Sequence, residues 1–232
     1  KRLISTMVEI RDLFRAVPAR YTKDKPLIGV VGEIFCRLNT FSNFDAVRKI
    51  ESHGGECWLS DIAEWVLYTN WSHRELLKRD RKKYTPAMLS AIVKERAQKA
   101  DEQKLMEPFR EDFTGYEEPH DIYEEILAPL WEYLPADGAL GEMVLSTGKG
   151  IYLYRKGADG IIDISPFSCM NGIVTESVYH DISRDHERIP IRNFYFDAAT
   201  SNMERDLDIF MELADTYRNR KTVTRRYPTC FD

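Results

Sequence analysis

Short apolar runs alternate with longer amphipathic stretches along this chain. The runs at 27–31, 56–59, 160–164 and 189–195 lie close to Pro or Gly residues and are short enough for buried strands. Between most of them, apolar residues recur at helical spacing. Strands that alternate with helices indicate a parallel sheet with right-handed crossovers. We therefore predict an α/β fold with a doubly wound sheet of about four strands in the order 2-1-3-4.

The pattern also divides the chain into segments. A helix and linker are predicted at 1–25, and the two halves of the α/β domain at 26–71 and 135–220. The segment 72–134 is rich in Lys, Arg and Glu and lacks a strand-like run, so we predict a helical insertion there. Thr85 and Pro86 indicate a break between two of its helices. Residues 221–232 are predicted to form a tail.

Charge and composition narrow the class of protein. The net charge of −5 argues against a nucleic-acid binder, because such proteins usually carry a basic excess. No apolar run approaches the length of a membrane span, and no hydrophobic segment of a signal peptide follows the first residues. The four cysteines form no CxxC pair, so they indicate neither a zinc motif nor a redox dithiol. We predict a cytoplasmic protein with free thiols, and no membrane or nucleic acid among its partners.

Three polar loops are predicted to meet at one edge of the sheet. In open α/β sheets, ligands bind beyond the carboxyl ends of the strands, where the strand order reverses. With the order 2-1-3-4, the reversal lies between strands 1 and 3. The loops concerned follow strands 1, 3 and 4, at 32–40, 165–172 and 197–202. We expect the functional edge of the molecule there.

Cys169 is the strongest single candidate in these loops. It is predicted at or just before a helix N-terminus, where backbone N–H groups and the helix dipole favour a thiolate. Such a thiolate suits a nucleophile, a metal ligand or an iron–sulfur ligand, and the alternative is a buried structural cysteine. Cys36 is predicted to lie near it across the switch point, and is the weaker metal-ligand candidate. Cys57 is expected in the core and Cys230 in the tail.

Several polar residues are candidates for a ligand cleft beside these cysteines. Glu33, Arg37 and Asn39 follow strand 1 and suit an anionic or amide-bearing ligand. The alternative for this group is a local ion pair that holds the loop. Asn171 in the loop after strand 3 is a further cleft candidate, and Asp197 either orients a ligand or caps a turn.

Two other motifs are set aside. The five histidines have no partner at i, i+4, so a histidine metal site is not indicated. The segment Gly148-Lys149-Gly150 resembles part of a phosphate loop, but it lies within a predicted helix with no strand before it. We interpret its glycines as a place where that helix packs closely on the sheet.

The three segments of the predicted edge resemble one known family. They are Ile28-Gly29-Val30-Val31-Gly32-Glu33-Ile34-Phe35 with Arg37-Leu38-Asn39, then Gly160 through Met170 with Pro166-Phe167-Ser168-Cys169-Met170, then Asn193-Phe194-Tyr195-Phe196-Asp197. Together they resemble components of 2-hydroxyacyl-CoA dehydratases, and more closely the dehydratase-related portion attached to acyl-CoA dehydratase activases. The resemblance runs from about residue 26 to residue 215, and the Pro-Phe-x-Cys-Met segment is its most specific part.

The resemblance implies a flavodoxin- or Rossmann-like domain within a larger iron–sulfur component. It implies that Cys169 ligates a cluster, such as 4Fe–4S, in the full-length protein. The family's other cluster cysteines belong to an upstream domain, so we expect no cluster on this chain alone. Asn171 stands where the family often has Pro, and Cys36 where a non-cysteine residue is expected. The implied partners are an upstream cluster-binding domain or subunit, an ATP-dependent activator and an acyl-CoA substrate.

Two functions remain open at this point. The first is the C-terminal part of a dehydratase-like, or related low-potential acyl-CoA reductase-like, component, in which this chain supplies one ligand and part of the substrate cleft. Alone it is expected to be inactive. The second is a non-catalytic binding or regulatory module that docks to an ATP-dependent activase through its helical insertion.

Overall fold

The computed structural model describes residues 2–139, 141–197 and 203–231. It contains a four-stranded, fully parallel sheet in the order β2-β1-β3-β4. The strands are β1 (Leu27–Gly32), β2 (Glu56–Leu59), β3 (Gly160–Pro166) and β4 (Ile191–Phe196). The predicted α/β fold class and strand order are confirmed.

The helices follow in chain order around these strands. They are α1 (Arg2–Arg15), α2 (Ile34–Leu38), α3 (Ala46–Ser52), α4 (Ala63–Arg79), α5 (Pro86–Met106), α6 (Ala128–Leu130), α7 (Met143–Arg155), α8 (Met170–Asp185) and α9 (Met203–Arg218). Short 3-10 turns occupy Glu107–Phe109 and Thr229–Phe231, and a π-helical turn occupies Tyr123–Leu127 directly before α6. None of the helices in the described residues is long and apolar enough to cross a membrane.

Contacts within the chain separate two compact units. The helical unit comprises Lys1–Lys23, Thr69–Glu117 and Arg226–Asp232, and the sheet unit comprises Asp24–Tyr68 and Glu118–Arg225. The first boundary falls inside α4, close to the predicted start of the insertion at residue 72. The second comes earlier than the predicted residue 134, because Ile126 and Leu130 are buried beside α7 in the sheet unit.

Local sequence signals explain several element boundaries. Thr85 caps α5 by accepting a hydrogen bond from the backbone N–H of Met88, and Pro86 occupies the first helical turn. The break predicted at this point is therefore present. Gly157 has a φ of +89° and follows the end of α7, where a left-handed residue is common.

The segment after β1 differs from the predicted loop at 32–40. It contains the five-residue helix α2, because the Glu33 carboxylate accepts hydrogen bonds from the backbone N–H groups of Phe35 and Cys36. The following helix, α3, starts at Ala46. Asn43 contributes to this start, since its Oδ1 accepts a hydrogen bond from the N–H of Ala46.

Gly32 connects β1 to this segment through a conformation that few residues adopt. Its φ is +116°, and a Cβ placed on it would lie 2.1 Å from the carbonyl oxygen of Ile164 on β3. The next residue, Glu33, donates its backbone N–H to that same carbonyl at 2.8 Å. Gly32 therefore lets the chain turn away from the sheet while it stays in contact with β3.

Candidate functional site

The carboxyl edge of the sheet brings together the segments after β1, β2 and β3. The register pairs Gly32 with Ile164 and Val30 with Leu59, so the ends of the three strands lie side by side. The candidate residues at this edge belong to the sheet unit. The segment after β4 is described only to Asp197, which is exposed, and predicted loop residues 198–202 lie outside the described residues.

Cys169 occupies the predicted position at the start of a helix. It is the N-cap residue of α8, has extended backbone angles, and makes no side-chain capping bond. Its neighbour Ser168 has a φ of +62°, which turns the chain sharply between β3 and α8. The side chain of Cys169 is half-buried. Cys169 is therefore a partly exposed cysteine at a helix N-terminus, at the carboxyl edge of the sheet.

Cys36 lies close enough to Cys169 for their charges to interact, as predicted, but its surroundings differ. It is only 2% exposed and packs in the apolar core with Ile28 and Phe196. Burial, with smaller effects from Glu33 and Cys169, raises the pKa of the Cys36 thiol to about 12. This environment favours a neutral thiol, and so a structural role over that of a metal ligand.

Two of the predicted cleft residues accept hydrogen bonds from backbone N–H groups close to them in the chain. Glu33 caps α2, as described above, and Asn39 Oδ1 accepts hydrogen bonds from the N–H groups of Phe41 and Ser42. Asn171 lies in the first turn of α8, with its amide against Gly141. Whether any of them touches a ligand stays a prediction.

Arg37 is the predicted cleft residue with an unusual environment. Its side chain is buried on α2, and burial lowers the pKa of its guanidinium despite nearby Glu64 and Glu142. It lines a small cavity of about 10 Å³ together with Ser60 and Glu64. This cavity lies at the carboxyl ends of β1 and β2, next to α7.

A buried ion-pair cluster forms one side of this edge and was missed by the sequence analysis. The ammonium group of Lys149, on α7, is fully buried and contacts the carboxylates of Glu64 and Glu118. It also lies 5.7 Å from the ring centre of Trp58 and 5.0 Å from that of Tyr152. We call Lys149, Glu64 and Glu118 the lysine cluster.

The lysine cluster contains more acid than base. Burial is the main effect that raises the pKa of Glu64 to about 7, and the charge of Glu118 adds to it, although Lys149 opposes both. The ionised form of Glu64 is disfavoured because its carboxylate is buried and shares the single ammonium of Lys149 with a second carboxylate. Glu64 can therefore hold or release a proton near neutral pH.

A second buried acid lies on β3. Asp163 is 1% exposed, and its carboxylate accepts hydrogen bonds from Thr175 at 2.9 Å and from Tyr179 at 2.6 Å. Ser165 adds a third, at 3.2 Å. Burial raises the pKa of Asp163, and these hydroxyl groups oppose that rise. The arrangement joins β3 to α8, the helix that Cys169 caps.

The sequence carried a signal for both buried groups. Asp163 interrupts an apolar run that was correctly predicted to be a buried strand, and a charge in such a strand requires partners. Lys149 was noticed only as part of a glycine-containing motif. Its two carboxylate partners come from distant parts of the chain, so spacing alone could not identify them.

Comparisons with known proteins found no matching family model, and no significant match among curated proteins or solved structures. The resemblance to 2-hydroxyacyl-CoA dehydratase components therefore stays a prediction.

Proposed function

We propose that this chain is part of an iron–sulfur 2-hydroxyacyl-CoA dehydratase-like, or related low-potential acyl-CoA reductase-like, component of the cytoplasm. In this proposal Cys169 supplies one cluster ligand, and an upstream domain or partner subunit supplies the others. The position of Cys169 carries the proposal: a half-buried sulfur at the N-cap of α8, with no capping bond of its own.

The side chains around Cys169 support docking of a second protein surface. Large apolar residues before and after it are exposed, with Phe167 at 67%, Met170 at 74% and Ile173 at 54%. On the neighbouring segment after β1, Phe35 is 63% exposed and Phe41 is 89% exposed. A group of exposed apolar side chains on one part of a protein surface is typical of a site that binds another protein. We propose that the cluster-binding domain or subunit covers them.

The donor set fits one ligand position and not a complete cluster site. Among the described residues, no group of three or more His, Cys, Asp or Glu side chains could hold a metal ion. Iron–sulfur clusters are usually held by four thiolates, so the remaining ligands belong to the partner. When bound, the cluster would supply low-potential electron transfer, with an ATP-dependent activator as electron donor and an acyl-CoA as substrate.

The proposal is tested on the protein together with its upstream domain or partner subunit, purified without oxygen. Cys169→Ser should remove most of the iron and acid-labile sulfide and the electron paramagnetic resonance signal of the reduced cluster. When both are compared without the cluster, Cys169→Ser and the unsubstituted protein should unfold at the same temperature, because Cys169 belongs to neither apolar core cluster of the described residues. Cys57→Ser, on β2, is the matched control and should keep the iron.

Full iron and sulfide in the Cys169→Ser protein would contradict the ligand role. The non-catalytic module that docks to an activase would then be the better proposal. Its direct measurement is binding of the ATP-dependent activator to protein that contains no iron.

A further inference from the structure

The small cavity at the ends of β1 and β2 has features of a binding site separate from Cys169. It is lined by residues from the segments after both strands and from α7 and its N-terminus, among them Gly32, Arg37, Ser60, Glu64, Glu142 and Lys149. Its volume of about 10 Å³ accommodates roughly one oxygen-sized group. A ligand would therefore insert one polar atom and leave the rest of its structure outside.

Arg37 lines this cavity and has a hydrogen-bond donor without a partner among the described residues. Its side chain is 8% exposed, yet it makes no hydrogen bond or ion pair within the described part of the chain. Its Nε in particular is buried without a hydrogen-bond partner among those residues. A buried donor left unpaired costs free energy, about 1–3 kcal/mol, and more when the group is charged. A partner in the cavity would recover that cost.

Ser60 adds a second unused donor on the same cavity. The residue is 2% exposed, and its Oγ has no hydrogen-bond partner among the residues described. Its backbone N–H donates to the carbonyl of Val30 at 3.0 Å, which holds the residue at the end of β1. Arg37 and Ser60 thus line the cavity from the segments after two adjacent strands, and each has one polar atom without a hydrogen-bond partner among the described residues.

The carboxylates nearby do not take these donors. Glu64 is engaged by Lys149, and Glu142 accepts a hydrogen bond from the backbone N–H of Ile34 at 2.9 Å. Their charges still act on Arg37 from a distance and oppose the fall in the pKa of its guanidinium that burial causes. The site therefore combines strong donors with a surrounding that is not strongly positive, and it suits an oxygen acceptor better than a highly charged anion.

We propose that this cavity binds one carbonyl-type oxygen of a small organic ligand, with Arg37 Nε–H and Ser60 Oγ–H as the two donors. A carboxylate and a carboxamide both present such an oxygen, and probes of both kinds distinguish a charged ligand from a neutral one. Neither the iron–sulfur cluster nor Cys169 takes part in this site.

The arginine side chain provides a direct measurement. In the ¹⁵N-labelled protein, the Nε–Hε resonance of Arg37 is followed while acetate or acetamide is added. We expect a saturable shift of this resonance with at least one probe. The Nε–Hε resonance of Arg15, which is paired with Asp112 at 2.8 Å, is the internal control and should not move.

Variants test the two donors and the charge preference. Ser60→Ala should weaken probe binding about tenfold, the effect of losing one hydrogen bond of about 1.4 kcal/mol. Arg37→Lys keeps the charge but removes the planar donor group, and should weaken binding at least as much. A shift with acetamide alone identifies a neutral carbonyl ligand, and one with acetate alone identifies a carboxylate.

Two results would overturn the site. The first is an Arg37 resonance that neither probe moves, which would mean that the cavity holds only water. The second is unchanged affinity in Ser60→Ala, which remains informative if Arg37→Lys fails to fold. Since the readout involves no iron, failure here and failure of the cluster proposal are distinguishable.

Discussion

The two faces of the sheet are built in different ways. One face packs against α3 and α9, and we call this layer, with the helix side chains that cover it, the apolar face. Its side chains are aliphatic and aromatic, among them Ile28, Val30, Ile162, Ile164, Phe194 and Phe196 from the sheet and Leu207, Phe210 and Met211 from α9. The other, the polar face, packs against α7 and α8. It buries Asp163, Ser165 and Lys149 along with its apolar residues.

Strand alternation produces this contrast within single strands. On β3, Ile162 and Ile164 belong to the apolar core, whereas Asp163 between them accepts hydrogen bonds from α8. The apolar face gains stability from buried area, which many side chains can supply. The polar face depends on particular partners, because removing one leaves another group buried and unpaired. The polar face also adjoins the candidate sites, since Lys149 lines the cavity and α8 begins directly after Cys169.

The largest expected effect tests the lysine cluster. Lys149→Met removes the one ammonium between Glu64 and Glu118, and should lower the free energy of unfolding by about 3–5 kcal/mol. Urea unfolding followed by circular dichroism measures the loss. Lys49→Met is the matched control, since Lys49 pairs at the surface with Glu204 at 2.9 Å and should cost less than about 1 kcal/mol.

Equal effects of these two lysine substitutions would break the comparison between the faces. The apolar face has its own reference in Leu207→Ala, which should cost about 2–5 kcal/mol through the cavity it leaves. That loss should not depend on pH, because Leu207 lies in the apolar core and the substitution changes no titratable group.

The next prediction concerns pH. The pKa of Glu64 is about 7 in the folded protein, and about 4.3 is normal for an unfolded chain. Between these values the folded state keeps a proton that the unfolded state has lost. Stability should therefore fall as pH rises from about 5 to about 7, by an amount on the order of 3 kcal/mol.

Glu64→Gln should remove this decline, because glutamine does not titrate. The measurement is urea unfolding of both proteins at several pH values across that window. A wild-type curve as flat as that of Glu64→Gln would show that the lysine cluster keeps Glu64 ionised throughout.

The smallest expected effect compares two tyrosine hydroxyl groups. Tyr179 donates to the buried Asp163 at 2.6 Å, and Tyr195 donates to the exposed Glu176 at 2.7 Å. Tyr179→Phe should cost about 1.5–3 kcal/mol, since Asp163 loses a partner in the interior. Tyr195→Phe should cost less than about 1 kcal/mol, because water replaces the lost partner. Thermal unfolding measures the loss of stability in each variant. Equal losses would mean that water replaces the hydroxyl of Tyr179 beside Asp163 as easily as it replaces that of Tyr195.

Much of the fold was predictable from local patterns. The runs around Val30 and Ile162 identify buried strands, and Thr85-Pro86 identifies a helix start, because propensity and capping act within a few residues. The strand order followed from crossover rules. The short helix α2 was missed, since capping by Glu33 is visible only once the chain direction after Gly32 is known.

The candidate sites were predictable only in part. Cys169 stood out because it begins a predicted helix, and Arg37 because it lies in the polar loop predicted after strand 1. Ser60, Glu64 and Lys149 did not, since tertiary packing brings them to the cavity from separate elements. Glu33 shows the opposite case. It lies in the loop that was predicted to bind a ligand, but its carboxylate caps the N-terminus of α2.

Gly32 determines where this edge of the protein can be redesigned. Any side chain at this position would collide with the backbone of Ile164, so libraries that vary residue 32 would consist mostly of misfolded members. Within the segments 33–37 and 60–64, the residues that line the cavity are Ile34, Arg37, Ser60, Asp61 and Glu64, and substitutions at these positions change its chemistry without moving that junction. A directed-evolution experiment on ligand preference would therefore hold residue 32 constant and place its diversity in those two short segments.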